Sequence, residues 1–305
     1  MGWGVGTYGV DEVAKNVGLA GLEIAYRRHG SKDAPAVVLI MGGAAQLIHW
    51  PDGFCAALVE RGLQVIRFDN RDCGLSTHLT DAPAPDFAAV MAGNYSSVSY
   101  TLVDMAADTV GLMDALEIER AHVVGASMGG QIAQIVAEEH GKHVKSLTSM
   151  MSTTGAKDVG QVSPEVLKMV FGGPAPVTRE ETIAHRVMAM KAVGSPGYKC
   201  DEEEVAARAA LAYDRSNDTV GLTRQAIATV ATGDRTERLK DVRVPTLVIH
   251  GLADPMCDVS GGRATAAAIE GAELALIEGM GHDMAPGLRQ RLAETIAEFV
   301  WRAEK

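Results

Sequence analysis

The chain has few cysteines, few aromatic residues and fewer basic than acidic residues. Its four cysteines are scattered and form no C-x-x-C pair, which argues against a disulfide framework and against a zinc site. We therefore expect reduced cysteines and a cytoplasmic protein. Lysine and arginine number 28 against 39 aspartates and glutamates, a formal net charge of −11. This charge argues against nucleic acids and anionic membranes as partners, and it favours neutral or cationic small molecules.

Long hydrophobic runs are also missing. No stretch reaches the length of a membrane-spanning helix, and the start lacks the basic and apolar segments of a signal peptide. The sequence contains no phosphate loop, no dinucleotide fingerprint and no metal-spaced cluster, so we expect no cofactor and no metal. With 305 residues, 47% of them hydrophobic and 22% charged, the chain has the composition of a globular protein with a full core.

Short apolar segments alternate with helical patterns along most of the chain. The predicted strands cover residues 21–28, 37–41, 64–68, 121–124, 144–151, 244–251 and 272–277. Helical patterns fall around residues 54–58, 102–116 and 288–301. This alternation predicts an α/β fold in which helices cover both faces of a mostly parallel sheet.

Two segments depart from that alternation. Residues 1–20 start with a glycine-rich stretch, and we expect them to form an N-terminal extension. Its aromatic residues Trp3 and Tyr8 are candidate contacts to a partner subunit in a homodimer. Residues 156–238 contain no clear buried strand. The pattern predicts a helical cap domain there, inserted into a core formed by residues 21–155 and 239–305.

Capping signals support the helical assignment of the insertion. Thr178 followed by Glu181 is typical of a capping box, and Asp201 followed by Glu204 is a second helix start. Residues 219–231 predict a third helix.

A serine stands at the centre of a glycine-rich turn. The sequence Gly-Ala-Ser-Met-Gly-Gly at residues 125–130 directly follows the strand at 121–124. A sharp turn between a strand and a helix lifts the Ser127 hydroxyl clear of the backbone, and small residues on either side avoid collisions. Ser127 is therefore a candidate nucleophile.

A carboxylate and a histidine follow the next two predicted strands. Asp254 comes just after the strand at 244–251, and His282 comes just after the strand at 272–277. Since the carboxyl ends of parallel strands meet at one edge of a sheet, these side chains are expected to meet Ser127. The chain order Ser, Asp, His predicts a catalytic triad.

Three further polar residues lie near the predicted site. Asp258 is an alternative acid, although a helix cap is the better explanation for it. Asp283 is adjacent to the histidine and is expected to be structural. His49 lies near the loop after the strand at 37–41 and is a candidate substrate contact.

The motifs resemble the α/β-hydrolase superfamily from about residue 22 to the C-terminus. The resemblance rests on the serine turn, on His-Gly-Leu-Ala-Asp-Pro at 250–255 and on Gly-Met-Gly-His at 279–282. Residues 39–43 with Trp50-Pro51, and residues 67–76, look like the aclacinomycin methylesterase-like branch. As in that branch, Asp72 replaces a glycine found in much of the superfamily.

The resemblance implies a serine esterase that acts on a small-molecule carboxylic ester through an acyl-enzyme. The branch suggests bulky polyketide esters or macrolactones. The backbone N–H of Met128, the residue after the nucleophile, is one expected oxyanion donor, and the resemblance points to Gly43 as the other. Four residues are expected to wall the substrate pocket: Gln46, Trp50, Met188 and Tyr213.

Three alternatives remain open at this point. The same triad serves C–C bond hydrolysis and perhydrolysis, and some proteins of this fold are ligand receptors with little turnover. Turnover of a short p-nitrophenyl ester separates an enzyme from a receptor.

Overall fold

Eight strands form a single sheet at the centre of the computed structural model, which describes residue 6 and residues 8–305. In chain order they are β1 Glu12–Val17, β2 Leu22–His29, β3 Ala36–Ile40, β4 Gln64–Phe68, β5 Ala121–Ala126, β6 Val144–Met150, β7 Thr246–Gly251 and β8 Glu273–Ile277. Their spatial order is β1-β2-β4-β3-β5-β6-β7-β8. Only β2 pairs antiparallel with both of its neighbours, so the predicted mostly parallel sheet is confirmed.

Helices fill the connections between the strands. They are α1 Asp52–Glu60, α2 Phe87–Met91, α3 Leu102–Ala115, α4 Met128–Glu139, α5 Pro164–Val166, α6 Arg179–Val193, α7 Glu202–Arg215, α8 Thr219–Thr232, α9 Thr236–Leu239, α10 Ser260–Ala268 and α11 Pro286–Ala303. No helix in the described part of the chain is long and apolar enough to cross a bilayer.

Successive side chains of β3 enter opposite cores. Val37 and Leu39 pack in a buried cluster with residues of α1 and α11. Val38 and Ile40 pack in a second cluster with residues of α3 and α4. The sheet is therefore covered on both faces, as a near-continuous apolar strand requires.

The segment between β6 and β7 is helical, and two of its helices begin where the capping signals predict. The Glu181 N–H donates to Thr178 Oγ1 at 3.2 Å, and the Glu204 N–H donates to Asp201 Oδ1 at 3.0 Å. Satisfying these N–H groups fixes the first turns of α6 and α7.

One strand lies inside the segment that was expected to be an extension. Residues 12–17 form β1 at the edge of the sheet. The pairing register with β2 shifts between Ala14 and Val17, so the buried positions are three residues apart and the alternation of a strand is lost. Tyr8 stacks on His29 with ring centroids 4.1 Å apart, whereas Trp3 lies outside the described residues.

The turn between β5 and α4 requires glycine at two positions. Ser127 has φ 56° and ψ −122°, a conformation that L-residues seldom adopt. A Cβ on Gly125 would lie 2.0 Å from the Gly129 carbonyl oxygen, and one on Gly129 would lie 2.0 Å from the Ile40 carbonyl oxygen. The missing side chains let α4 start directly against the end of β3, which holds the serine in its strained position.

We predict that Gly129→Ala lowers the urea midpoint strongly, because its new methyl group meets backbone that cannot rotate away. The free energy of unfolding should fall by about 3 kcal/mol or more, since overpacking typically costs roughly 1–3 kcal/mol. Gly53→Ala in α1 is the matched control, since a Cβ there meets nothing within 4 Å. A helical Gly→Ala change should raise stability by about 0.5–1 kcal/mol. Equal effects of the two substitutions would contradict this account of the turn.

Candidate active site

Ser127, Asp254 and His282 meet at the carboxyl edge of the sheet. Ser127 lies between β5 and α4, Asp254 follows β7, and His282 follows β8. His282 Nε2 lies 3.0 Å from Ser127 Oγ, and His282 Nδ1 lies 2.8 Å from Asp254 Oδ2. The three predicted residues therefore form a continuous chain of hydrogen bonds. Such a chain can remove the proton of a serine hydroxyl and stabilise the imidazolium that results.

The loop after β7 fixes the orientation of the Asp254 carboxylate. Asp254 Oδ1 accepts the backbone N–H groups of Met256 and Cys257, each at 2.9 Å. The other oxygen is left to face the imidazole of His282. The ring of His250 is also close, with Nε2 3.6 Å from Asp254 Oδ2, but this nitrogen is 2.8 Å from the Cys257 carbonyl oxygen. Burial lowers the pKa of His250, so its ring stays neutral and leaves the charge of Asp254 to His282.

The two neighbouring carboxylates have other contacts. Asp258 Oδ1 accepts the Ser260 N–H at 2.9 Å, at the start of α10. Asp283 accepts a hydrogen bond from the hydroxyl of Ser195, a residue that follows α6. Burial raises the pKa of Asp283 although this hydrogen bond acts in the opposite direction.

The loop after β3 lies against the serine turn. A Cβ on Gly42 would be 3.0 Å from Ser127 Cβ, and one on Gly43 would be 3.6 Å from Met128 Sδ. Asn70 fixes the start of this loop, because its side-chain amide donates to the Met41 carbonyl at 3.0 Å. The loop at Gly43 thus lies close to Met128 at the start of α4.

A cavity of about 210 Å³ opens beside Ser127. Its walls come both from the sheet edge and from the inserted helices α6 and α7. Sheet-edge residues include Met41, Ala126 and Met151, whereas Met190 and Val193 belong to α6. The His282 N–H also donates to the Val193 carbonyl at 2.7 Å, so the end of α6 contacts the histidine loop directly.

Two of the expected pocket residues lie elsewhere. Trp50 is fully buried and stacks on Phe54 with ring centroids 5.5 Å apart, so it is part of the core. Gln46 donates to the Ala212 carbonyl at 2.7 Å and accepts from Arg215 Nε at 2.9 Å. Gln46 therefore ties the β3 loop to α7 and does not line the cavity.

The two residues of the insertion that were expected to line the pocket, Met188 and Tyr213, do not line the cavity. Other residues of the same helices do. On α6 the cavity residues are Met190 and Val193, and Met188 is not among them, because two positions along a helix turn the side chain by about 200°. On α7 the cavity reaches as far as Arg208, and Tyr213 lies five residues beyond it, about 7.5 Å along the axis. Composition identified the insertion, but the inward faces of its helices depend on how they dock. His49, by contrast, does line the cavity.

One group of residues in the described chain places possible metal ligands together: Asp72, His78 and Asp218. His78 Nδ1 lies 2.6 Å from Asp218 Oδ2, and Nε2 lies 3.0 Å from the Gly74 carbonyl oxygen. Arg224 Nη1 is 3.4 Å from Asp72 Oδ1. Burial acts to lower the pKa of His78, but these hydrogen bonds outweigh it and raise the pKa, which favours the imidazolium. The contacts are explained by ion pairs that join the 70–79 loop to α8.

Comparison with known proteins agrees with this architecture. A family model described as alpha/beta hydrolase fold matches residues 35–285. Rhodomycin D methylesterase DnrP from Streptomyces peucetius is 29% identical over 284 residues, which cover 87% of this chain and 90% of that protein.

Two solved structures show the same fold. The enol-lactonase from Burkholderia xenovorans LB400 has a TM-score of 0.69 at 24% identity, covering 92% of this chain and 97% of that one. The meta-cleavage product hydrolase CumD from Pseudomonas fluorescens IP01 has a TM-score of 0.74 at 22% identity, covering 97% and 98%. With its sheet order, its serine turn and the match across residues 35–285, the chain belongs to the α/β hydrolase fold family.

Proposed function

We propose that the protein is a serine carboxylic-ester hydrolase with Ser127 as nucleophile. The proposal rests on the hydrogen-bonded chain from Ser127 Oγ through His282 to Asp254, which opens on a largely apolar cavity. Ser127 Oγ attacks the ester carbonyl while His282 Nε2 takes its proton. The tetrahedral intermediate collapses to an acyl-enzyme, and His282 gives the proton to the leaving alcohol. Water then attacks with His282 as base and releases the carboxylic acid.

Two backbone N–H groups are assigned to the oxyanion. Met128 follows the nucleophile at the start of α4, where the N-terminal end of a helix favours negative charge. Gly43 supplies the second donor from the loop that lies against this turn. Asp254 keeps the Nδ1–H of His282 in place and stabilises the imidazolium during the reaction.

The helices of residues 156–238 are proposed as a cap that selects the substrate. The similarity to a protein named as a methylesterase supports an ester, and the resemblance of the motifs extends this to bulky polyketide esters or macrolactones. The cavity of about 210 Å³ is smaller than the roughly 300–1,000 Å³ of pockets for drug-sized ligands. A bulky substrate therefore needs space beyond this cavity, either next to it or made by an outward movement of α6 and α7.

Ser127→Ala, His282→Ala and Asp254→Asn should each abolish most turnover of p-nitrophenyl acetate while leaving the urea midpoint nearly unchanged. For the serine we expect a loss on the order of a thousandfold or more, by analogy with other serine triads. Asp258→Asn is the control and should lose little. Near-wild-type activity in Ser127→Ala would contradict the proposal, and very slow turnover by the wild type itself would favour a ligand receptor. A greater loss in Asp258→Asn than in Asp254→Asn would overturn the choice of acid.

Activity should fall as the pH drops from 8 to 5, because a protonated imidazole accepts no proton from serine. His49 also lines the cavity, but burial and the nearby arginines lower the pKa of His49 to about 3. It is neutral over the whole range, so His49→Asn should keep the shape of the profile. The measurement is kcat/KM from pH 5 to 8. A flat profile in the wild type would exclude a histidine base.

Met190→Ala should alter the relative rates across a series of acyl chain lengths by more than Met188→Ala does. Both methionines are half-buried on α6, but only Met190 lines the cavity beside Ser127. Widening the wall should favour longer acyl chains. Identical rate profiles for the two variants would show that α6 does not contact the substrate.

A further inference from the structure

A second compartment of about 200 Å³ adjoins the cavity beside Ser127. The loop of Gly43 and Ala45 and the side chains of Met190 and Val193 line both spaces. The second compartment lies beneath α6 and α7, and its lining includes Arg186, Arg208 and His49 but no acidic residue. A substrate bound at Ser127 can extend along the loop into this positively charged space.

Arg186 is the most unusual residue of the compartment. Within the described residues it forms no ion pair, and its hydrogen bond is a long one of 3.4 Å from Nη1 to the Ala44 carbonyl. The buried Arg67 pairs with Asp52 at 2.6 Å, and the buried Arg71 pairs with Asp108. In the part of the chain that the structure describes, Arg235 is buried without a carboxylate partner but donates to the carbonyls of Gly233 and Thr153 at 2.8 and 2.9 Å, whereas the half-buried Arg186 has only its one long contact. Burial lowers the pKa of Arg186, as expected for a cation that has lost water without gaining a counter-ion.

Arg208 adds to the positive excess. It pairs with Glu204, but the same Glu204 oxygen also lies 2.8 Å from Arg289 Nη2, so one carboxylate serves two guanidinium groups. Arg208 Nε is buried without a hydrogen-bond partner among the described residues. The low pKa of His49 has burial as its largest cause, followed by the charges of Arg186 and Arg208.

Besides Glu204, which is shared between Arg208 and Arg289, the neighbouring cavity has two acidic side chains, and neither pairs with Arg186 or Arg208. Asp201 accepts the Glu204 N–H at 3.0 Å at the start of α7, and Asp283 accepts from Ser195. Both line the space beside Ser127 and are absent from the lining of the second compartment.

We propose that this compartment is an anion subsite, in which Arg186 and Arg208 bind a carboxylate carried by the substrate several bonds away from the scissile carbonyl. The preferred substrate class is then an ester that bears a free acid group, and the inference rests on the proposed esterase function. The net charge of −11 favoured neutral or cationic substrates. The local charge of the compartment opposes that expectation, and at contact distance the local charges decide.

The test compares the monomethyl esters of succinic, glutaric, adipic and pimelic acid with the matching half-amides, which are neutral and nearly isosteric. The wild type should prefer the acid to the amide at the best chain length. Arg186→Gln should reduce this preference about tenfold or more, mainly through KM, as for loss of a charge-assisted hydrogen bond. Arg186→Lys should retain part of it. Arg179→Gln, the same substitution at an exposed site on α6, should leave the preference unchanged.

Binding measured without turnover separates the two proposals. Calorimetry on the Ser127→Ala protein should show tighter binding of the half-ester than of the half-amide, and Arg186→Gln added to Ser127→Ala should remove the difference. If no ester is turned over but this binding difference is present, the esterase proposal fails and the subsite stands. If neutral esters are hydrolysed but acid and amide bind equally to Ser127→Ala, the subsite is wrong. That comparison needs no arginine variant to fold.

Discussion

The close contact between the start of α4 and the end of β3 is the constraint on which the site depends. The backbone of Gly129 packs so near the Ile40 carbonyl that a methyl group has no room. This contact forces the chain at Ser127 into a conformation that costs about 1–3 kcal/mol for a residue with a side chain. The Ser127 N–H donates to the Met150 carbonyl at 2.9 Å, and buried side chains of β5 hold the strand on both faces. Packing of the sheet thus fixes the hydroxyl relative to the loop after β3.

Besides the ion pairs between α8 and the 70–79 loop, the ends of α6 and α7 hold the inserted helices to this framework. At the end of α7, Arg215 contacts Asp69 at 2.6 Å and Gln46 at 2.9 Å, both in loops at the carboxyl edge of the sheet. At the end of α6, the Val193 carbonyl accepts the His282 N–H, and Ser195 Oγ accepts the Gly281 N–H at 2.9 Å. The second contact links the insertion to the loop of the histidine. An outward movement of α6 that admits a larger substrate has to break these hydrogen bonds, or to bend the helix so that its C-terminal end stays in place.

The sequence was sufficient to predict seven of the eight strands and the three polar residues at the sheet edge, because both depend on local patterns, whereas the irregular edge strand β1 was missed. Strands, glycines and helix caps are encoded by neighbouring residues, and the order Ser127, Asp254, His282 follows from where strands end. The walls of the cavity depend instead on how helices dock. Trp50 and Gln46 follow the right loop but turn into the core and toward α7. Arg186 gave no signal, since an arginine on a polar helix is ordinary until its surroundings show that it lacks a carboxylate.

The most direct test of the central claim is covalent labelling of the native protein with diisopropyl fluorophosphate, followed by peptide mapping. The reagent phosphorylates a serine only where a base and oxyanion donors activate it. The account predicts one label per chain, on Ser127 in the peptide that spans β5 and α4. Protein that is denatured before the reagent is added should not be labelled. It also predicts that the label is lost when His282 is replaced by alanine. A native protein that stays unlabelled, or a label on another residue, would contradict the assignment of Ser127 as the nucleophile.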